Sequence, residues 1–376
     1  MELIPSFDQF TPWIFTFLFG IVALIQLFWS LFFYLRIAFH KHKRGKNFPP
    51  VSVIITARNE EDNLFRLLPK ILEQDYDNYE VIVVNHQSID DSAHILKAFE
   101  RNYSHLKVIE LERSKHLKNG KKLPLTIAIK GASHEHLLFT DADCDPSSVH
   151  WIKEMASQFT TQEEIVLGYA PYEKEPGLLN RMIRLDTVMI ALNYLSYAKA
   201  GAPYMGVGRN MGYTKRLFME NNGFKSHYAI QSGDDDLFIQ EVATRKNVTV
   251  CISPNAFCSS KAEKTWGDWY KQKGRHFTTA NHYKVIKKLL LGIYPLTLLL
   301  LYISFITLCL YSWLCWTTIG VFGFVLLIKW LVQGRAMFVL HEKEFAWAFP
   351  FWDICYALIA PIVYYTTEKS TDTKWK

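Results

Sequence analysis

Asp141 and Asp143 are the residues of this chain whose types and spacing most directly suggest chemistry. They lie in residues 137–146, Leu-Leu-Phe-Thr-Asp-Ala-Asp-Cys-Asp-Pro, where an apolar strand runs into acids and stops at a proline. Two carboxylates one residue apart can hold a hard divalent cation. Because Mg²⁺ usually takes one or two protein carboxylates and completes its shell with water and substrate phosphates, the segment indicates a metal–diphosphate site. A solvated acidic turn is the alternative.

Two other polar clusters follow strands of the same predicted sheet. Alternating strands and helices predict a mostly parallel α/β sheet that is covered on both faces. The predicted strands are 51–55, 79–84, 106–111 and 137–139, and the predicted helices are 61–73, 92–100 and 125–132. Ligands of such sheets bind beyond the carboxyl ends of the strands. If the strands are neighbours, the clusters at 56–60, 85–88 and 141–143 converge on one crevice.

Two further clusters lie later in the chain. Residues 232–236, Ser-Gly-Asp-Asp-Asp, place three carboxylates side by side, so one of them is a candidate general base with a raised pKa. The alternative is an acidic helix start that interacts with the helix dipole. In the segment 266–276, Gln272 and Arg275 share a helix face, and Arg275 could pair with a diphosphate. An amphipathic surface helix at the membrane boundary is the alternative there.

The elements that must position these residues fall into three regions. Of 376 residues, 49% are hydrophobic and 21% are charged, and residues 13–39 and 289–365 are mostly apolar. Apolar runs of this length predict membrane spans. The first is too long for a signal peptide and predicts a retained anchor. Two to three C-terminal spans are expected, at 289–310, at 315–331 with Lys329 snorkelling near its end, and at 345–365. The third stretch contains two prolines and an aspartate, so it either spans the membrane, re-enters it or lies along the interface.

Charged residues predict the orientation and limit the partners. Basic residues at 40–46 and 284–288 flank the polar middle, which is therefore expected in the cytoplasm, with lysines able to contact anionic lipids. The charges of the tail, 368–376, offset one another and leave its side of the membrane open. Six cysteines without a CxxC pair argue against zinc and a disulfide framework. The modest net charge of +6 does not favour nucleic acid, and nothing indicates the oligomeric state.

In series, these motifs resemble a membrane-bound family 2 glycosyltransferase, an inverting enzyme with the GT-A fold. They are TARNEE, GKK, TDADCDP, GDDD and QxxR with an aromatic, over about residues 50–285. The resemblance implies an α/β GT-A (nucleotide-diphospho-sugar transferase, Rossmann-like) domain with N- and C-terminal transmembrane helices. The expected organisation is an anchor and basic segment at 1–48, a catalytic domain at 49–265, an interfacial segment at 266–288 and a transmembrane region with a tail at 289–376.

The resemblance also implies a role for each matching residue. The nucleotide-sugar would be bound by Thr56, Arg58, Glu60, Asn85, Lys121 and Asp141. Asp143, with Asp141, would bind Mg²⁺ or Mn²⁺. Asp235 would be the general base and would act with Gln272 and Arg275. The acceptor and membrane interface would involve Asp234, Trp266, Trp269 and His276.

The chain departs from the family pattern at two places. Asn85 and His86 stand where the family usually has one or two aspartates that contact the donor base, so uridine is favoured but guanosine stays open. His276 replaces the tryptophan of QxxRW. The expected function is inverting transfer from a nucleotide-sugar, a UDP-sugar by preference, to a lipid or lipid-linked acceptor at the cytoplasmic face of the cell (inner) membrane, as a multi-pass protein. The alternatives are a processive polysaccharide synthase, a non-catalytic nucleotide-sugar-binding membrane protein and a membrane nucleotidyltransferase.

Overall fold

The computed structural model describes residues 7–112, 120–230, 232–311 and 314–367. They form two compact units, which we treat separately. The helical unit comprises the described residues of 1–40 and 284–363, and the sheet unit those of 41–283 and 364–367. The predicted tail at 368–376 lies outside the described residues.

Nine strands and fifteen helices are named here in chain order. The strands are β1 (Val51–Ala57), β2 (Tyr79–His86), β3 (Leu106–Leu111), β4 (His136–Asp141), β5 (Asp145–Pro146), β6 (Ile165–Gly168), β7 (Met211–Thr214), β8 (Val248–Cys251) and β9 (Cys258–Ser259). The helices are α1 (Phe7–Phe28), α2 (Leu35–Ala38), α3 (Glu61–Leu72), α4 (Ser92–Asn102), α5 (Lys122–Gly131), α6 (Trp151–Ala156), α7 (Leu178–Lys199), α8 (Lys215–Glu220), α9 (Asp236–Val242), α10 (Trp266–Ala280), α11 (Val285–Leu310), α12 (Cys315–Lys329), α13 (Arg335–Val339), α14 (Lys343–Ala346) and α15 (Phe349–Thr366). Short π-helical segments, Trp29–Tyr34 and Trp330–Gly334, continue α1 into α2 and α12 into α13.

The sheet unit is built on a seven-stranded sheet in the order β3-β2-β1-β4-β7-β6-β8. β1 pairs in parallel with β2 and β4, and β2 with β3, as the alternation of elements predicts. β7 is antiparallel to both β4 and β6. The strands run further than expected. Thr56, Asn85, His86 and Asp141 therefore belong to strands rather than to the loops after them.

Helices cover the first half of this sheet on both faces. All seven residues of β1 are buried, as a central strand requires. Leu64, Leu68 and Ile71 lie on one side of α3 and pack with Leu96 of α4 against one face of β1 and β2. Burying each such side chain contributes about 1.5–3 kcal/mol. The chain then crosses back from β3 to β4, and a right-handed crossover in that direction puts α5 on the opposite face.

The helical unit contains three helices that are long and apolar enough to cross a membrane. They are Thr11–Ala38, Val285–Leu310 and Cys315–Val339. Within it, Phe19 and Val22 of α1 pack against Leu301 and Leu308 of α11. The third predicted C-terminal stretch forms α15, which is 18 residues long and is not one of these three helices.

Lys329 differs from the sequence expectation, because it does not snorkel to a polar boundary. Its side chain is fully buried, and its Nζ lies 2.9 Å from Oδ2 of Asp353 on α15. Tyr294 donates its hydroxyl to the same carboxylate at 2.8 Å, and Lys329 donates to Oε1 of Gln26 at 2.5 Å. Gln333 donates to the Tyr294 hydroxyl at 2.6 Å. A partner that is distant in sequence therefore holds the ammonium group inside the unit.

Candidate active site

The ends of β2, β1 and β4 lie side by side in the sheet unit, so the predicted convergence of their polar clusters is observed. Thr56 is in register with Asp141 of β4. Hydrogen bonds also join the loops after β1 and β2. The Asn59 N–H donates to Ser88 Oγ at 2.9 Å, and the Ile89 N–H donates to Asn59 Oδ1 at 2.9 Å. Asn59 adopts a left-handed φ of 54° at this turn.

Strand register decides which side chains share this edge. Registered partners point to the same face and successive residues alternate, so Thr56, Asp141 and His86 share one face. Asn85 is in register with Glu110 on the opposite face and donates Nδ2 to Glu110 Oε2 at 2.8 Å. The structure therefore does not bring Asn85 to the face of Thr56 and Asp141. It brings His86 there instead, where burial and the charge of Arg58 lower the pKa of the imidazole.

Arg58 and Glu60 lie in the turn directly after β1, beside these strand ends. Both side chains are partly exposed. Glu60 Oε2 accepts a hydrogen bond from Asn63 Nδ2 at 2.6 Å, and the Glu60 N–H donates to Ser92 Oγ at 3.1 Å. This turn is thereby fixed to the starts of both α3 and α4.

Asp141 and Asp143 form the acidic pair at the end of β4. Lys121, just before α5, donates its Nζ to Asp141 Oδ1 at 2.7 Å. Burial and the neighbouring charge of Asp141 raise the pKa of Asp143, against the opposing charges of Arg209 and Lys121. Although burial lowers it, the charges of Asp141 and Asp234 raise the pKa of Lys121.

The residues of this pair fit a divalent cation that is shared with a phosphate ligand. Among the described residues, no group of three or more His, Cys, Asp or Glu side chains is arranged to hold a metal ion. Mg²⁺ commonly needs only one or two carboxylates when substrate phosphates complete its shell. Burial and the charge of Asp141 raise the pKa of Asp143, so a bound cation would favour the charged form of this carboxyl group. Asp143 and Asp141 could therefore hold Mg²⁺ or Mn²⁺ together with a diphosphate.

The acidic segment before α9 holds a carboxyl group with a strongly perturbed pKa. Asp235 accepts hydrogen bonds from the Gly208 N–H at 2.9 Å and the Asp236 N–H at 2.8 Å, and it stays partly exposed. Burial and the charges of Asp234 and Asp236 raise the pKa of Asp235 to about 8. A carboxyl group with a pKa near neutrality, open to solvent on one side, can exchange a proton with a bound hydroxyl.

Lys122 fixes the loop that carries these acids, a role that the sequence analysis missed. Its buried Nζ donates to three backbone carbonyls, those of His227 at 2.6 Å, Ile230 at 2.7 Å and Ser232 at 2.8 Å. Burial lowers the pKa of Lys122 to about 8. The Gly-Lys-Lys motif therefore has two functions, since Lys121 binds the strand-end acid and Lys122 holds the loop before Asp234.

Helix α10 contacts the acidic segment from another side. Thr265 caps its start by accepting the Asp268 N–H at 3.2 Å. Near its end, Thr279 donates to Asp236 Oδ2 at 2.5 Å, and Tyr283 donates to the same oxygen at 2.7 Å. Burial raises the pKa of Asp236, and these two bonds oppose that shift. The helix that carries the QxxR motif is thus attached to the start of α9.

The predicted residues of α10 differ in their surroundings. Gln272 and Arg275 are both partly exposed. Gln272 donates its Nε2 to Glu263 Oε1 at 3.4 Å. Trp269 is buried and Trp266 is exposed, with their rings 5.7 Å apart. Desolvation by the surrounding protein and the charges of Lys273 and Arg275 lower the pKa of His276 to about 3, although part of the residue's surface stays exposed.

Two family models match this chain. The glycosyl transferase family 2 model matches residues 52–222, and the glycosyl transferase family group 2 model matches residues 150–364, which is more than half of the chain. The chain belongs to glycosyltransferase family 2.

Curated relatives match parts of this family 2 chain. The probable glycosyltransferase YdaM of Bacillus subtilis is 24% identical over 64% of this chain and 57% of its own length. The poly-β-1,6-N-acetyl-D-glucosamine synthase of Staphylococcus epidermidis is 31% identical over 25% of this chain and 21% of its own length. The β-monoglucosyldiacylglycerol synthase of Trichormus variabilis is 31% identical over 29% and 23%, respectively. This chain therefore spans less than two thirds of the length of each of these relatives.

A solved structure with the same fold covers nearly all of the chain. It is the mannosyltransferase PcManGT of Pyrobaculum calidifontis, in complex with GDP-mannose and Mn²⁺. It aligns with a TM-score of 0.55 and 16% identity over 92% of this chain and 99% of its own. With the family matches, this similarity confirms the α/β GT-A fold.

Proposed function

We propose that this protein transfers a sugar, with inversion, from a nucleotide-sugar to a lipid or lipid-linked acceptor at the cytoplasmic face of the cell membrane. The observation that carries the proposal is the presence, in one unit, of a strand-end acidic pair suited to a cation and diphosphate and a separate carboxyl group, Asp235, with a pKa of about 8. Family membership supports the reaction class.

The proposed donor site lies at the ends of β1, β2 and β4. Thr56 and Arg58, with Glu60 in the turn after β1, would contact the nucleoside, and Lys121 would bind the diphosphate. Bound by Asp143 and Asp141, Mg²⁺ or Mn²⁺ would supply charge neutralisation at that diphosphate. Arg275 would add a positive charge, in keeping with the preorganised electrostatics that dominate many such reactions.

Proton transfer is assigned to Asp235. Its carboxylate would accept the proton of the acceptor hydroxyl while that oxygen attacks the anomeric carbon from the side opposite the diphosphate. The bond between this carbon and the diphosphate oxygen would break, and the nucleoside diphosphate would leave. The Gly208 and Asp236 N–H groups hold this carboxylate in place. General-base assistance of this kind is typically worth about 10²–10⁴-fold in rate.

An amphipathic acceptor is supported by the apolar helices and by one relative. Three helices could cross a membrane, and basic residues at 41–46 and 284–288 favour a cytoplasmic sheet unit. A relative that matches 29% of this chain is named for the synthesis of a glucosylated diacylglycerol. We favour a UDP-sugar as donor and a single transfer. Another relative is named for polymer synthesis, so a processive reaction is the second candidate.

A donor and acceptor screen tests this proposal. The full chain, purified in detergent, is incubated with Mn²⁺, extracted lipids and each of several UDP- and GDP-sugars. We expect release of a nucleoside diphosphate and a glycolipid that carries one sugar. Pyrophosphate release would indicate nucleotidyl transfer, long polysaccharide would indicate processive synthesis, and nucleotide binding without any turnover would indicate a non-catalytic binding protein.

A further inference from the structure

Cys309 and Cys315 lie on the two sides of a short turn in the helical unit. Cys309 belongs to the last turn of α11, and Cys315 is the first residue of α12. Four residues connect the two helices. A connection of this length is typical of two neighbouring antiparallel helices. The two cysteines are therefore on adjacent helix ends.

An aromatic contact along this hairpin indicates that both cysteines lie on the facing sides of the two helices. The rings of Phe305 on α11 and Phe322 on α12 are stacked, with their centroids 3.9 Å apart. Cys309 comes four residues after Phe305, and Cys315 comes seven residues before Phe322. Residues four or seven apart share one face of an α-helix. In agreement with this geometry, the thiols of Cys309 and Cys315 are within hydrogen-bonding range of each other.

The opposite end of α11 indicates on which side of the membrane this turn lies. Lys284, Lys287 and Lys288 are at the start of α11, and basic residues favour the cytoplasmic side. The 26 residues of α11 rise about 39 Å, which exceeds the ~30 Å of a hydrocarbon core. Tyr311 and Trp316, beside the two cysteines, are exposed, as is typical of aromatic residues at the membrane–water boundary. In the proposed orientation the turn is therefore at the outer face.

The remaining cysteines do not combine a facing thiol with an outer position. Cys144, Cys251 and Cys258 are buried in the sheet unit, which the same orientation assigns to the cytoplasm. Thiols in the cytoplasm are kept reduced, whereas disulfides form and persist outside it. Cys355 lies on α15. A single link within the hairpin, rather than a disulfide framework, is therefore expected.

We propose that Cys309 and Cys315 form a disulfide that joins α11 to α12 at the outer face of the membrane. This inference rests on the proposed orientation but not on the proposed reaction. One thiolate attacks the disulfide of an external thiol–disulfide oxidant, and the second thiolate then displaces the oxidant from the mixed disulfide. The two cysteine sulfurs lose two electrons and their two protons. The oxidant takes up both and leaves in its thiol form.

Thiol counting on the full chain tests this assignment without requiring turnover. Cells that produce the protein receive oxidised glutathione in the medium, are quenched with acid and are then denatured with N-ethylmaleimide in the absence of a reductant. Mass spectrometry of the purified chain should show four maleimide groups, because two of the six thiols are joined. Chymotryptic peptides should contain Cys309 linked to Cys315. A reductant added before the maleimide should raise the count to all six thiols.

Cys355→Ser is the matched control, because it removes a cysteine of the same unit and should keep the link. Cys309→Ser and Cys315→Ser should each make the other cysteine reactive, so either variant serves if one does not fold. The inference is overturned if every cysteine of the wild-type chain carries a maleimide group, or if the linked peptides contain other cysteines. A Cys309–Cys315 link in a protein that releases no nucleoside diphosphate from any donor would contradict the proposed function and leave this inference standing. Six free thiols in an active enzyme would do the reverse.

Discussion

Tyr283 donates its phenolic hydroxyl to Asp236 Oδ2 at 2.7 Å, so the residue that follows α10 is bound to the residue that begins α9. Thr279 reaches the same oxygen. Because Asp236 directly follows Asp235, these two bonds fix the backbone from which the proposed base projects. They also fix the helix of Gln272 and Arg275 relative to that base. The two motifs are distant in sequence, yet two hydrogen bonds to one carboxylate oxygen join them.

Removing this bond with Tyr283→Phe should impair catalysis more than donor binding. Loss of this bond lets the backbone of Asp236, and with it the Asp235 carboxyl group, move from its place, so we expect kcat to fall about tenfold, the equivalent of about 1.4 kcal/mol. The KM for the nucleotide-sugar should change little, since the donor site lies at the strand ends. Steady-state release of nucleoside diphosphate measures both. Tyr228→Phe, at an exposed tyrosine, is the control, and an unchanged kcat in Tyr283→Phe would remove the positioning role.

Asp235→Asn should abolish turnover and spare donor binding. The amide keeps the shape of the side chain but cannot accept the proton, which typically costs about 10²–10⁴-fold in rate. Asp234→Asn is the neighbouring comparison. Single-turnover transfer and calorimetric UDP binding are measured on both variants. Near-normal transfer by Asp235→Asn, with loss in Asp234→Asn, would move the base assignment to Asp234.

The raised pKa of Asp235 predicts the pH dependence of the reaction. Burial and two neighbouring carboxylates raise this pKa to about 8, so the group is largely protonated, and unable to act as a base, at lower pH. We expect kcat/KM for the acceptor to fall by about tenfold per pH unit below that value and to level off above it. Rates between pH 6 and pH 9 measure this profile, with donor binding recorded at each pH. A flat profile would contradict proton transfer to Asp235.

Asp143→Ala should remove the dependence of nucleotide binding on divalent cations. In the wild type, UDP should bind more tightly with Mn²⁺ than without it, and the variant should bind equally in both conditions. Calorimetry with and without Mn²⁺ gives the comparison. Asp145→Ala is a matched control from the same acidic run, because Asp145 pairs with Lys70 at 2.6 Å. Mn²⁺-dependent binding that survives in Asp143→Ala would rule out the cation-binding role.

Much of the first half of the sheet could be predicted from the sequence, because apolar strands and amphipathic helices alternate there and polar segments separate them. The convergence of the strand ends followed from parallel pairing. The face of the sheet to which each side chain points could not be predicted in the same way. Ending β2 at Val84 made Asn85 and His86 look like adjacent loop residues, whereas the strand continues through both, and a strand sends neighbours to opposite faces.

Residues whose surroundings depend on distant segments could not be recognised from spacing. Arg209 is placed by Ala170, Tyr172 and Ser260, which lie in other segments. Lys122 is defined by carbonyls more than a hundred residues away, and no local pattern announces such a contact. The Gly-Lys-Lys motif at 120–122 was the one local pattern that pointed to these two lysines, and it led to a predicted role for Lys121 alone.

Lys329 and Asp353 offer a test of the helical unit, because their ion pair is buried within it. Lys329→Met should lower the free energy of unfolding by about 3–5 kcal/mol, since it leaves a buried carboxylate without its partner. The double variant Lys329→Met/Asp353→Leu should recover most of that loss, since neither charge then remains to be paired. Thermal inactivation of the full chain in detergent measures both, with Lys288→Met at an exposed position as control. If the single and double variants were equally stable, the lysine would be reaching a polar boundary rather than pairing with Asp353.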